Sequence, residues 1–345
     1  MKLFIFEPAM KKRRVTLKDI AHQLDVSTSL VSLVLAGKGK QHRISENVIL
    51  KVKEKAFEMG YRPNQNARAL RTGKTGIIGL IVADIANVFY GKMARELENE
   101  FSLYGYNLIF GSSDENPKQM EHLIRIFISR QVDGIIIVPV INSDEHFKML
   151  SKAQVPYVMI DRYLNSLDAD CVVTDNKRAS FELVNLIIKK GYKSIGAVAY
   201  ENQLSVNHDR LDGYKEALRY AGLPIDKNQI FFTGYENTGQ KVDELIKYCL
   251  ENKVEALFFI NNHLGIEALK ILRTEHIQIP EQMAIVGFDN PEAFEVSEPG
   301  VTCYQQPMEE LCHKAMQLLM QRLSNPDKPI EKILLKGKII QRNSI

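Results

Sequence analysis

The chain is poor in cysteine. Its four cysteines, Cys171, Cys249, Cys303 and Cys312, lie far apart and form no C-x-x-C pair, which argues against a disulfide framework or a zinc knuckle and points to a reducing cytosol. Long apolar runs are missing too. Residues 3–6 are too short for a signal-peptide core, Glu7 and the basic run 11–14 follow at once, and no stretch approaches the roughly 18 apolar residues of a membrane span. A chain neither exported nor inserted in a membrane is predicted, with either Met1 or Met10 as initiator. Motifs that cradle phosphate or build hydrolytic sites are also absent: there is no G-x-G-x-x-G after the first strand, no G-x-x-x-x-G-K-[ST], no H-E-x-x-H and no G-x-S-x-G. The eight histidines, His208, His263 and His276 among them, do not cluster with the cysteines at metal-ligand spacing. No catalytic residue, metal or cofactor is therefore predicted, and a sugar-processing α/β enzyme stands as the rival from another class.

What is present is an ordinary globular composition, 45% hydrophobic and 25% charged over 345 residues, enough for two or three domains. The formal net charge of +3 conceals an uneven distribution: residues 10–75 hold 15 Lys and Arg against 5 Asp and Glu, whereas residues 76–345 hold 29 against 36. Positive charge concentrated on a small module is the footprint of a polyanionic partner, because neutralising phosphates releases condensed counterions. Nucleic acid leads that class, and a merely solvated basic surface is the alternative.

Within the basic segment, Thr16 precedes Leu17, Ile20, Ala21 and Leu24 on one helical face, with Asp19 completing a T-x-x-D capping box. After Asp25-Val26, Ser27 caps a second short helix whose Val31, Val34 and Leu35 point inward and which Gly37 and Gly39 end. Ser45 opens a third, with the stripe Val48, Val52, Ala56 and Met59 and a stop at Gly60. Two short helices about a tight turn, packed on a third, predict a helix-turn-helix whose second helix enters the major groove. Side chains near its start must be short and polar, as Ser27, Thr28, Ser29 and Ser32 are. An ordinary capped three-helix bundle is the bland alternative. Residues 62–71, R-P-N-Q-N-A-R-A-L-R, are too polar to bury themselves and too few for a stable isolated helix; such a segment is ordered only by DNA or a dimer mate.

The motifs V-T-L-K-D-I-A (15–21), V-S-x-x-L-V-S (26–32), G-Y-R-P-N (60–64), A-R-A-L (67–70) and I-G-L-I-V (78–82) resemble the LacI/GalR family of bacterial transcriptional repressors, a likeness that runs from residue 15 to about 343. The resemblance implies a homodimer on a pseudo-palindromic operator of double-stranded DNA, met by Thr16, Ser27, Thr28, Ser29, Ser32 and Leu33 of the head and by Asn64, Ala67, Arg68 and Leu70 of a hinge helix. Leu70 stands where the family wedges a leucine between central base pairs, and an apolar wedge of that kind unstacks a step and bends the duplex. Leu30 and Leu33 depart from the family, which usually carries Thr or Ala at the first position and Arg at the second. Arg is the commonest guanine reader, so Leu33 forfeits that contact and offers an apolar one, for example to a thymine methyl. Ala36 likewise replaces a frequent Asn.

From Ile77 onward, strands at 77–82, 107–110, 135–138, 155–160, 171–174, 195–199, 230–232, 256–260 and 283–287 alternate with helices near 93–103, 120–129, 211–220, 242–250 and 266–273. A last helix near 311–323 and strands at 332–335 and 337–341 follow. That alternation predicts two doubly wound parallel sheets. With the resemblance, the fold is a two-lobed, periplasmic-binding-protein-like α/β core carrying a small all-α helix-turn-helix head. The predicted boundaries are a basic extension over 1–14, the head over 15–62, and hinge helix and linker over 63–76. One lobe comprises 77–161 with 291–323, and the other 162–290 with 324–345; the chain crosses near Asp161, Asn290 and Ser324.

Such sheets bind ligands at strand carboxyl ends. Asp84 and Asn87, Asp161 and Arg162, Asp175 and Asn176, Asn261 and Asn262, and Asp289 all follow predicted strands; Arg210 precedes a helix, Phe89 and Tyr90 form a candidate wall, and Tyr235 or Phe232 is the candidate aromatic of the second lobe. Each alone reads as a cap or turn residue, and together they read as one cleft. By the resemblance these positions hold a small-molecule effector. Carboxylates and amides pair with hydroxyls and aromatic rings cover a pyranose face, so a sugar or sugar derivative is preferred. Arg210 leaves a sugar acid or phosphate open. A nucleobase is less favoured, because purine-responsive relatives carry a further arginine where this chain has Leu204. Induction is the default response, and co-repression or activation would use the same geometry.

Overall fold

A computed structural model describes residues 15–61, 73–201 and 204–345. The chain divides into two compact units, Met1–Gly73 and Lys74–Ile345.

In the first unit, helix α1 (Leu17–Leu24) starts where Thr16 and Asp19 cap each other: the Asp19 amide donates to Thr16 Oγ1 at 3.4 Å and the Thr16 amide to Asp19 Oδ2 at 2.8 Å. Asp25 ends it in the left-handed conformation, φ 52°, and the chain re-enters helix α2 (Thr28–Leu35) behind Ser27, whose Oγ accepts from the Leu30 amide at 3.2 Å. Helix α3 (Glu46–Glu58) follows Ser45, which sits at the cap position but makes no side-chain cap bond. Ile20, Val31, Val34 and Val52 are sealed from solvent with Ala21 and Ala56, while Leu30 and Leu35 press on them from α2. Each large aliphatic group buried there contributes about 1.5–3 kcal/mol.

The second unit holds two six-stranded sheets. The first lobe contains β1 (Ile77–Val82), β2 (Asn107–Ser112), β3 (Gly134–Ile137), β4 (Tyr157–Ile160), β5 (Cys171–Thr174) and β11 (Lys332–Leu335), in the order β11-β5-β4-β3-β1-β2 and parallel throughout. The second contains β6 (Ile195–Tyr200), β7 (Ile230–Thr233), β8 (Ala256–Phe259), β9 (Ala284–Phe288), β10 (Thr302–Gln305) and β12 (Lys338–Ile340), in the order β12-β10-β9-β8-β6-β7, with only β12 antiparallel. The two orders are the same pattern repeated, so β4 and β9 occupy equivalent places. Helices α4 (Val88–Ser102), α5 (Pro117–Ser129), α6 (Asp144–Lys152) and α12 (Met308–Ser324) cover the first sheet; α7 (Asn176–Lys189), α8 (Ser205–Tyr220), α9 (Thr238–Glu251), α10 (Asn262–Thr274) and the short α11 (Glu292–Val296) cover the second. Helices α7 and α8 touch closely at Gly213, where a Cβ would lie 2.2 Å from the Lys177 carbonyl oxygen.

The lobe boundaries differ from those predicted. Strand β5 pairs with β4 through Met159↔Cys171, so residues 162–174 belong to the first lobe. Strand β10 pairs with β9 through Thr302↔Val286 and so lies in the second lobe, ahead of α12 in the first. Strand β11 pairs with β5 and returns to the first lobe before β12 crosses back. The crossings therefore fall near Asp175, Gln306 and Lys336, not Asp161, Asn290 and Ser324. The inner strands of both lobes are short apolar runs buried on both faces, a pattern that marks a parallel strand without naming its neighbour. Helices α6, α7 and the short α11 were not read from the sequence, and several helices begin earlier than predicted.

Candidate functional site

The carboxyl ends of the two sheets meet across a cleft lined by charged and aromatic side chains. Asp161 follows β4 and Asp289 follows β9, at the equivalent place in each lobe, and both adopt left-handed backbone, φ 67° and 66°. Residues outside glycine hold this conformation at some expense, commonly at functional sites. Tyr90 donates to Asp161 Oδ2 at 3.0 Å. Arg162 is forked onto Glu115, Nη1 to Oε2 at 2.9 Å and Nη2 to Oε1 at 2.7 Å, and its Nε lies 3.6 Å from Asp161 Oδ2. Burial raises the Asp161 carboxyl against the pull of Arg162 and Arg210. Burial works against the Arg162 charge, but Tyr90, Glu115 and Asp161 hold the guanidinium well above its usual value.

On the other lobe, Arg210 Nε donates to Asn176 Oδ1 at 2.8 Å and Nη1 to the Ile260 carbonyl at 2.6 Å, with the guanidinium 3.5 Å above the Phe288 ring. Its burial lowers its pKa, while Asp289 and Asp161 oppose that shift. Asp289 Oδ1 accepts from Gln306 Nε2 at 2.7 Å, and Gln306 Oε1 accepts from Thr174 Oγ1 at 2.6 Å, so one chain of hydrogen bonds ties the acid to two crossing segments. Burial pushes the Asp289 carboxyl up to about 6, against Arg210 and the Gln306 bond.

Hydrogen bonds among the described residues join the lobes. Asn87 and Asn262 exchange reciprocal amide bonds at 3.1 and 3.0 Å. Tyr235 donates to Glu115 Oε1 at 3.2 Å, Tyr163 donates through its amide to Ser205 Oγ at 3.3 Å, and its hydroxyl reaches Asp209 Oδ2 at 3.3 Å. Tyr235 is half-exposed and stacks on buried Tyr200 with ring centroids 4.2 Å apart; the Tyr200 hydroxyl lies 2.6 Å from His263 Nδ1.

The structure thus gathers Asn87, Tyr90, Asp161, Arg162, Arg210, Tyr235 and Asp289 into one region. Asp84 instead turns its Oδ1 to the Ala86 amide, Asn261 caps α10 through the His263 amide, and Phe89 packs into the first-lobe core. Phe232 lies exposed on edge strand β7. Glu115, Tyr200, Phe288 and Gln306 were missed. Glu115 sits in the D-E-N loop that follows β2 after Ser113, where the structure gives both Asp114 and Glu115 positive φ, 51° and 54°; its polar place beyond a strand was the one weak signal.

In the head, Thr16 and Ser27 are caps, Ser29 is exposed, and Thr28, Ser32 and Leu33 are partly exposed. Asn64, Ala67, Arg68 and Leu70 lie outside the described residues.

Residues 16–64 match the bacterial regulatory proteins, lacI family, and residues 184–345 match the periplasmic binding protein-like domain. Catabolite control protein A of Priestia megaterium is 32% identical over 309 residues, 88% of this chain and 91% of that one. The chain belongs to the LacI family. A solved complex of the transcriptional regulator CelR with cellobiose superimposes on this LacI-family chain with a TM-score of 0.72 at 25% identity, covering 96% of this chain and all 100% of the other. A LacI family regulator from Enterococcus faecium with bound ribose gives 0.70 at 26% identity over 78% of this chain and 98% of that one. This family consists of DNA-binding transcriptional regulators, not enzymes, and the present chain is one of them.

Proposed function

We propose that this regulator senses an uncharged carbohydrate between its lobes and, as a homodimer in the cytoplasm, releases or grips a pseudo-palindromic operator accordingly. The observation that carries the effector class is the state of the two arginines. Arg162 commits both terminal nitrogens to Glu115, and Arg210 commits Nε and one terminal nitrogen to Asn176 and Ile260. Glu115, Asp161 and Asp289 outnumber them, so a phosphate or sugar acid would enter against excess negative charge in a poorly solvated site. The acids and the Asn87–Asn262 amides offer partners for hydroxyls, and the Tyr235 ring offers a face for a pyranose. The cellobiose and ribose bound by the two relatives are neutral sugars of this kind. An effector that favours the closed lobes shifts their population, with a coupling to operator affinity of about 1–3 kcal/mol.

The homodimer reading rests on the head and on one surface. An eight-residue reading helix spans only a few base pairs, so two heads on inverted half-sites are required for a long operator. A groove of about 910 Å³ on the second lobe is lined by Ile266, Leu269, Ile277 and Val296, with Arg273 and Glu298 among its charged groups. Apolar floor and charges of both signs suit a contact with a second copy of the same face.

Titration calorimetry of the full chain against neutral mono- and disaccharides, sugar phosphates and sugar acids tests the effector class. Heat from neutral sugars alone is the expected result. A tight sugar phosphate with silent neutral sugars would overturn it.

A further inference from the structure

Side chains that identify a base in the major groove do so with paired hydrogen bonds, Arg to guanine or Asn and Gln to adenine. Helix α2, T-S-L-V-S-L-V-L, contains no Arg, Lys, Asn, Gln, His, Asp or Glu. Its inward stripe is Val31 and Val34, with Leu30 and Leu35 against the same core. At 3.6 residues per turn this directs Ser29, Ser32, Leu33 and Ala36 outward. Ser29 and Ala36 are exposed, Ser32 and Leu33 are partly so, and Leu33 is not among the residues packed on the head core. Leu33 is therefore the large apolar group on a face otherwise made of two hydroxyls and a methyl. Serine hydroxyls donate to or accept from any base and discriminate weakly. What Leu33 can discriminate is the C5 methyl of thymine, the one apolar group displayed in that groove.

We propose that Leu33 reads a thymine through its methyl group, so that each operator half-site carries an A·T pair facing this residue. The proposal rests on α2 lying in the major groove. Duplexes selected by the full chain from a random pool supply the half-site, and each thymine is then replaced in turn by deoxyuridine, which removes only the methyl. The expected result is a loss of about fourfold in affinity at one position per half-site, the effect of one methyl no longer buried. That loss should vanish in Leu33→Ala, a change outside the head core. Deoxyuridine tolerated at every position, or an equal loss in Leu33→Ala, would overturn the proposal. Ser29→Glu places a carboxylate on the same face and separates the premises. If it abolishes binding while deoxyuridine has no effect, only the thymine contact falls; if it binds as the parent does, the groove placement falls as well.

Discussion

Asp289 carries opposing demands. In the role of hydroxyl partner proposed above it serves best ionised, yet its surroundings favour the proton and lift its carboxyl from 3.8 to about 6. Between these values the native state binds more protons than the unfolded chain, so this group's contribution to stability is largest in acid and declines as pH rises through 6. The full shift corresponds to a penalty on the order of 3 kcal/mol above that pH. Asp289→Asn should remove the dependence: thermal unfolding measured from pH 4 to 7.5 is expected to lose most of its fall in that interval. Effector affinity of the parent should rise over the same range, and a flat calorimetric profile would contradict the acceptor role. At this scale the sequence was only partly legible. Asp161, Arg162 and Asp289 announced themselves as polar residues next to strands, whereas Arg210, expected ahead of a helix, lies inside α8, which begins at Ser205. Glu115 and Gln306 did not, since their importance lies in partners 47 and 17 residues away that only the folded chain supplies.

The elements show how local signals succeed and where they stop. Helix α1 has eight residues, too few to persist alone in water, and depends on its cap and on Ile20 and Ala21 in the head core. Thr16→Ala deletes half of the capping box and should lower the local opening free energy of α1 by about 1 kcal/mol. Hydrogen exchange of the Ile20 and Ala21 amides in the full chain reads this directly, and unchanged protection would show that core packing alone holds the helix. Caps and apolar stripes made all three head helices readable, because the forces that start a helix act within one turn. The lobe assignment of β5, β10 and β11 was not readable, because parallel pairing is decided by distant strands. β10 and β11 lie beside strands of opposite lobes although only 26 residues separate Gln305 from Lys332.

For the whole molecule, the exposed second-lobe groove makes oligomeric state the decisive measurement. Val296 is 80% exposed at its rim. Val296→Glu would bury an unpaired carboxylate wherever two such faces meet, at a penalty of several kcal/mol. Sedimentation is expected to show a dimer for the parent and predominantly monomer for the variant, with operator affinity falling by at least tenfold while effector binding persists. A variant dimer as stable as the parent would place the self-contact elsewhere.

The bond from Gln306 to Asp289, relayed onward to Thr174, would on the proposed reading give the sensor and the pivot common atoms. Whatever tugged on the acid would then also tug on the threads between the lobes, so taste and mechanical gain would not be independently adjustable. Changing what the cleft accepts would at the same time retune how far it swings.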